Sequence, residues 1–253
     1  MKFIYLWVAL FSVTFFTSSL QAQTSEEQNN EKSLVWGGRF SINFGASVPL
    51  YFQDIPKRYS WSTTFNPSVG AYVEIPLKED RKSVHIELIY TRKGNSTEAT
   101  VENRYFKVSD NYQGYVTGDV QTNISLNYIE IPIQFKTNLS KKDNGWYAIA
   151  GLYVAAMVSG TFDGILYAGG TLEDIVGSST EIGRDTPYDY SSDLVNFDWG
   201  AQFGIQKEIG DHFTVDTQIA WGFNGIFPRG YDTVDPNLFN LYGKVGVLYK
   251  IGK

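Results

Sequence analysis

Eight ionisable side chains carry most of the chemistry this sequence can offer: Arg39, Glu74, His85, Glu87, Glu130, Asp198, Asp216 and Lys244. They fall on the polar phase of stretches whose other phase is largely apolar, as with Glu87 between Ile86 and Leu88, or Glu130 between Ile129 and Ile131. If such stretches enclose a narrow interior, the charges share it and must pair, because an unpaired buried charge is strongly unfavourable. A paired set would act as a packed network that fixes strand register. The same residues could instead line a gated proton or ion path, with Arg39 and Glu130 the first residues to test. Hydrolase or acyltransferase chemistry would need a nucleophile or activated water beside a base, most often His. His85 follows one short turn and His212 lies within another, at the end opposite the long connections where such a site belongs. A non-enzymatic protein is therefore expected, with no catalytic residue, cofactor or metal site.

Two further groups lie in the connections. Asp163, Glu173, Asp174, Glu181, Asp185, Asp189 and Asp193 face a single Arg184 in the longest one. Oxygen ligands of this kind can hold Ca²⁺, but the spacing matches no EF-hand, and a solvated acidic loop is the expectation. Tyr105, Tyr112 and Tyr115 in one long connection, with Tyr167, Tyr188 and Tyr190 in another, are candidate recognition residues, since aromatic side chains on loops often build contact surfaces.

The elements that must position these groups alternate with period two. Over 127–137, Ile129, Ile131, Ile133 and Phe135 oppose Tyr128, Glu130, Pro132, Gln134 and Lys136, as successive side chains do on a strand. The division recurs in seven other segments, although the one from Trp146 to Ser159 is apolar on both phases and its inward side stays open. Long connections (Pro49 to Phe65, Gly94 to Thr122, Gly160 to Asp193, Phe227 to Asn237) alternate with short ones (Leu77 to Lys82, Asn138 to Gly145, Gly210 to His212). That asymmetry is the mark of a transmembrane up-and-down antiparallel β-barrel, all-β and of eight strands, with both termini on the periplasmic side. A ten-stranded form using Thr161 to Tyr167 in an added hairpin is the alternative. A soluble barrel would also alternate. The polar phase, however, is rich in Gly, Ser, Gln and Asn, and Trp36, Trp146, Trp199, Trp221 and Phe239 cluster near strand ends as interfacial girdles do. Prolines recur in Val73-Glu74-Ile75-Pro76 and Ile129-Glu130-Ile131-Pro132, where a bulge or strand-end kink is expected because proline lacks a ladder donor.

The front of the chain supports export. Residues 1–22 combine Lys2, an apolar run from Phe3 to Phe16 and small polar residues before Ala22, the pattern of a cleaved signal peptide. Residues 23–33 form a polar periplasmic leader, and 34–253 the barrel domain. With no cysteine, disulfides and thiolate metal sites are excluded, and a net charge of −6 offers no field for nucleic acid.

The segments His85-Ile86-Glu87-Leu88-Ile89-Tyr90-Thr91-Arg92-Lys93-Gly94, Tyr128-Ile129-Glu130-Ile131-Pro132-Ile133-Gln134-Phe135-Lys136 and Gly151-Leu152-Tyr153-Val154 resemble the PorT-like outer-membrane β-barrel family of Bacteroidetes. The resemblance implies a bacterial outer-membrane protein with a structural or surface-interaction role, in contact with lipid and lipopolysaccharide. Two alternatives stand beside it. One is an accessory subunit of a protein-secretion apparatus of the type IX kind, with a protein partner; the other is a porin-like channel for small solutes or ions.

Overall fold

In the computed structural model the described residues are 33–49, 57–78, 81–109, 112–140, 144–174, 179–231, 233–234 and 237–252. The expected signal segment and the leader up to residue 32 lie outside them. The elements are β1 (Val35–Pro49), β2 (Lys57–Thr63), β3 (Asn66–Pro76), β4 (Lys82–Ser109), β5 (Tyr112–Asn138), β6 (Trp146–Asp174), β7 (Ser179–Ile182), β8 (Thr186–Asp189), β9 (Phe197–Ile209), β10 (Phe213–Gly225) and β11 (Leu238–Gly252). Each long strand pairs antiparallel with its neighbour, and β11 returns to β1 with Val247 opposite Phe40 and Val245 opposite Ile42. The ring β1-β3-β4-β5-β6-β9-β10-β11 is thus closed with eight strands. Closure removes the unpaired edges that a sheet in lipid could not tolerate.

The binary pattern maps onto the two surfaces of this ring. Phe40, Ile42, Phe44, Val69, Leu88, Ile131, Ile133, Phe135, Phe203, Val245 and Val247 are exposed on the outside, whereas Arg39, Glu87, Glu130, Gln134, Asp216 and Lys244 are buried inside. Outward apolar residues on β9 run from Phe197 to Ile209. At about 3.3 Å per residue and a tilt near 40°, that run covers ~30 Å of height, enough for a hydrocarbon core. The ambiguous segment from Trp146 to Ser159 is settled by its neighbours. Ala155 lies opposite both Glu130 and Asp198, so Ile149, Tyr153 and Ala155 point inward while Leu152, Val154 and Val158 face out.

Two of the long connections are strand rather than loop. β4 and β5 extend for 28 and 27 residues, so the span expected as a connection from Gly94 to Thr122 is mostly a paired hairpin. Membrane crossing needs only ~9–11 residues per strand, and the excess stands clear of the long-connection end of the ring. The region from Gly160 to Asp193 likewise continues β6 to Asp174, then folds β7 and β8 back against it. Thr161 to Tyr167 therefore makes no added barrel hairpin; Ile124 opposes Phe162 and Asn123 opposes Asp163 within the β5–β6 ladder. β2 pads the other side of this extension by pairing with β4.

The prolines behave differently from each other. Pro76 ends β3, opposite Ser83, as a strand-end proline should. Pro132 sits inside β5 without a bulge: Ile86 opposes Ile133 and Ile89 opposes Glu130, so the offset is unchanged, and only the pairings between them are missing. The missing N–H opens one side of β5 locally, while the β6 side, with Pro132 opposite Tyr153, stays paired and holds the register.

Gly200 on β9 shows how tightly the wall is built. A Cβ there would stand 1.9 Å from the Trp221 carbonyl oxygen and 2.8 Å from the ring of Tyr153, which occupies the interior in front of it. Gly200→Val should therefore abolish the compact, heat-modifiable form of the refolded barrel on an unheated gel, whereas Ala201→Val, at a neighbouring half-buried position, should leave it intact.

Candidate functional site

The interior is filled by polar side chains contributed by every strand of the ring. At the short-turn mouth, Lys136 on β5 donates to Glu74 on β3 at 2.9 Å and to Glu208 on β9 at 3.2 Å. Ser83 also donates to Glu74, at 2.7 Å, and the Lys136 ammonium lies 4.3 Å from the centre of the Tyr147 ring. One step deeper, His85 Nε2 lies 2.8 Å from Glu87 Oε1, and Tyr72 stacks on the imidazole at 5.0 Å between centroids. Arg39 on β1 bridges the lumen, its two terminal nitrogens donating to Glu87 on β4 and to Asp216 on β10. A planar guanidinium suits this role because its donors diverge in a fixed fork.

A relay of amides links this layer to the next. Gln218 donates to Asp216 at 2.6 Å, Gln134 donates to Gln218 at 2.8 Å and to Gln202 at 3.1 Å, and Gln202 donates to Glu130 at 2.6 Å. Glu130 accepts from Lys244 at 2.6 Å and lies 3.2 Å from Lys93, which donates to Asp198 at 3.0 Å. Asp198 also accepts from Tyr153 and Asn240. The Lys93 ammonium lies over the rings of Tyr128 and Tyr153, at 5.2 and 4.6 Å from their centres. Four carboxylates (Glu87, Glu130, Asp198, Asp216) thus meet three basic side chains (Arg39, Lys93, Lys244), all at most 3% exposed, with His85 beside Glu87.

All eight sequence-nominated ionisable residues, from Arg39 to Lys244, lie on this inner surface. Sequence reasoning left out Lys93 and Lys136. Lys93 shares the parity of His85, Glu87 and Thr91 and stands at the strand's last position before the connection expected from Gly94. Continuing the odd phase through Asn95 would have found it. Lys136 stood on the polar phase of β5, beside Gln134, without being singled out.

Above the ion pairs the lumen turns apolar. Ile124, Leu126, Phe162, Leu194, Ile226 and Phe227 form a buried plug with Tyr128, Tyr153 and Tyr190, and Phe227 stacks on Tyr231 at 4.7 Å. A second cluster, Ala99, Val116, Val120, Leu166 and Leu172, packs inside the extension. Between them lies a cavity of about 130 Å³ whose walls include Ala99, Val101, Val120, Ile124, Phe162 and Leu238, with Arg104, Tyr59 and Tyr188 also on its lining. Burial pushes the Tyr188 phenol up to about 12, against the opposing bond with Thr122, and raises Tyr59 as well.

The candidate recognition tyrosines divide. Tyr115 and Tyr167 are exposed, and Tyr105 packs edge-on against Tyr115 at 5.8 Å. Tyr188 and Tyr190 stack on each other, and Tyr190 is buried in the plug, so it serves packing rather than surface contact. The Tyr112 side chain lies outside the described residues. The acidic groups from Asp163 to Asp193 spread along β6, β7 and β8; among the described residues no three such groups converge on a cation-sized site.

Removing the shared anion should be costly. Glu130→Gln leaves Lys93 with Asp198 and takes from Lys244 the carboxylate it is bonded to, and a loss of about 3–5 kcal/mol is expected in urea unfolding from lipid vesicles. Lys136→Met takes a buried cation from Glu74, 18% exposed, and Glu208, 40% exposed, and should cost less than Glu130→Gln because water can reach both anions left behind.

A family model described as outer membrane protein beta-barrel domain matches residues 21–228. Among solved structures, the chain is similar to Ail, the attachment invasion locus protein of Yersinia pestis, crystallised with the heparin analogue sucrose octasulfate. The identity is 11%, with 87% of this chain and 97% of that chain covered and a TM-score of 0.32. It is also similar to OprG of Pseudomonas aeruginosa, at 9% identity, 87% and 95% coverage and a TM-score of 0.32. No curated protein matches the sequence.

Proposed function

The chain belongs to the outer membrane protein beta-barrel domain family, and from that premise we propose that it is a closed, non-conducting barrel whose task is carried by its extracellular extension. The protein is integral to the outer membrane, with short turns periplasmic and long connections outside. The observation that carries the proposal is the filled lumen. The layer formed by Arg39, Glu87, Glu130, Lys93, Asp198, Asp216 and Lys244 is sealed on its outer side by the plug around Phe162 and Phe227. An eight-stranded ring has an interior just wide enough for side chains, and here they occupy it as cross-lumen ion pairs.

The extension supplies what the lumen lacks, an accessible surface. β4, β5 and β6 continue beyond the membrane as a sheet edged by β2, β7 and β8, presenting Tyr115, Tyr167 and Trp61 to solvent. Exposed aromatics of this kind are common contact residues. The affinity to PorT-like members suggested by the 85–94, 128–136 and 151–154 segments belongs to this proposal, as does a non-enzymatic role in contact with lipopolysaccharide and a surface partner.

Planar-bilayer recording on the pure, folded chain is the test. Discrete, reproducible conductance steps that respond to Arg39→Gln or Glu130→Gln would overturn the closed-barrel reading. A silent membrane containing demonstrably inserted protein is the expected result.

A further inference from the structure

The cavity between the two apolar clusters has a composition at odds with its place. It lies outside the membrane, where a solvated vestibule would be polar, yet half of the described residues on its walls are apolar, among them Ala99, Val101, Val120, Ile124, Phe162 and Leu238. Among the described residues one cation lines it. Arg104, half-buried on β4 opposite Val116, makes no ion pair with a carboxylate among the described residues. The lining hydroxyls of Ser47, Tyr59, Thr97, Tyr105, Thr122, Tyr188 and Thr233 are neutral donors or acceptors, and among the described residues no Asp or Glu lines the space. An apolar chamber with a few polar groups and one charge is the usual make-up of a small-molecule site.

Size narrows the class. At about 130 Å³, the space approaches the ~150 Å³ of an apolar protein cavity known to admit benzene. It is far below the ~300–1,000 Å³ of sites for drug-sized ligands. Nucleotides, oligosaccharides and the long acyl chains of membrane lipids are too large to be enclosed. Charge narrows it further, because a half-buried guanidinium with no carboxylate partner among the described residues favours a planar anion that accepts two parallel hydrogen bonds.

We propose that this cavity binds a small monocarboxylic acid with a compact apolar body, of the size of an aromatic or short branched acid, its carboxylate held by Arg104 and its body by Val101, Val120, Ile124 and Phe162. The site is separated from the periplasm by the plug and the ion layer. It therefore captures such acids without passing them on, and its occupancy is independent of whether the barrel conducts.

The test uses the full mature chain in lipid nanodiscs and equilibrium dialysis with labelled benzoate, benzyl alcohol serving as the neutral analogue. Saturable binding at one site per barrel is expected, weakened at least tenfold by Arg104→Gln and at least tenfold for benzyl alcohol relative to benzoate. Ala99→Phe, which fills the chamber, should abolish binding; heat-dependent gel mobility confirms that each variant is folded. Should Ala99→Phe not fold, Val120→Phe fills the same space from the opposite strand. Non-saturable uptake equal to that of empty nanodiscs, or saturable binding unchanged by Arg104→Gln in folded protein, would overturn the proposal. So would equal affinity for benzoate and benzyl alcohol.

Discussion

The barrel depends on the ion pairs that cross its interior. Arg39 on β1 ties β4 to β10 through Glu87 and Asp216, and Glu130 on β5 gathers Lys93 from β4 and Lys244 from β11. These contacts join strands far apart in the chain, and each is demanding because neither partner can fall back on water. A one-residue slip of any strand would move its charges from lumen to lipid. For Arg or Lys near the bilayer midplane the penalty is about 2–4 kcal/mol each. A two-residue slip would keep the charges inside but carry them ~7 Å along the strand, away from their partners. Buried ion pairs are often weak contributors to net stability; here the geometry points to selection of one register among several that the apolar exterior alone would accept.

That constraint also explains why the interior changes character along its length. Toward the periplasm, the buried Lys136 joins Glu74 to Glu208 where the mouth begins to admit water, and the carboxylate of Glu208 is substantially exposed. In the middle, charges and amides form one hydrogen-bonded relay from Asp216 to Glu130 through Gln218, Gln134 and Gln202. On the outer side the connections no longer need to fit inside a ring, and aromatic and aliphatic groups fold inward over it. The plug around Phe162 and Phe227 shields the ion layer from external water, which strengthens the pairs below it by keeping the local dielectric low.

Beyond the membrane the sheet faces a different problem. Closure ceases to be enforced by lipid, and the prolonged β4, β5 and β6 would expose unpaired edges. The chain covers them with short strands, β2 on one side and β7 with β8 on the other, and short edge strands are a usual way of limiting further pairing. The second apolar cluster, around Val120 and Leu166, gives this open sheet a small core of its own. The unfilled space left between the two clusters, with Arg104 at its wall, follows from their meeting at the height where ring gives way to open sheet.

Period-two alternation in the sequence determined the antiparallel barrel, its outward face, the short turns and the polar phase that supplies Arg39, Glu74, His85, Glu87, Glu130, Asp198, Asp216 and Lys244. It could do so because lipid on one side and a crowded lumen on the other impose opposite polarity on adjacent residues, a local property that the order of residues records. Tertiary structure alone decided the inward side of Trp146 to Ser159, where both phases are apolar and only pairing with Glu130 and Asp198 fixes parity. It also decided the membership of Lys93, because its partners Glu130 and Asp198 come from strands farther along the chain. The burial of Tyr190 had the same origin, and so did the cavity beside Arg104. These features depend on which residues meet across strands distant in sequence, and a pattern with a reach of two residues carries no record of such meetings.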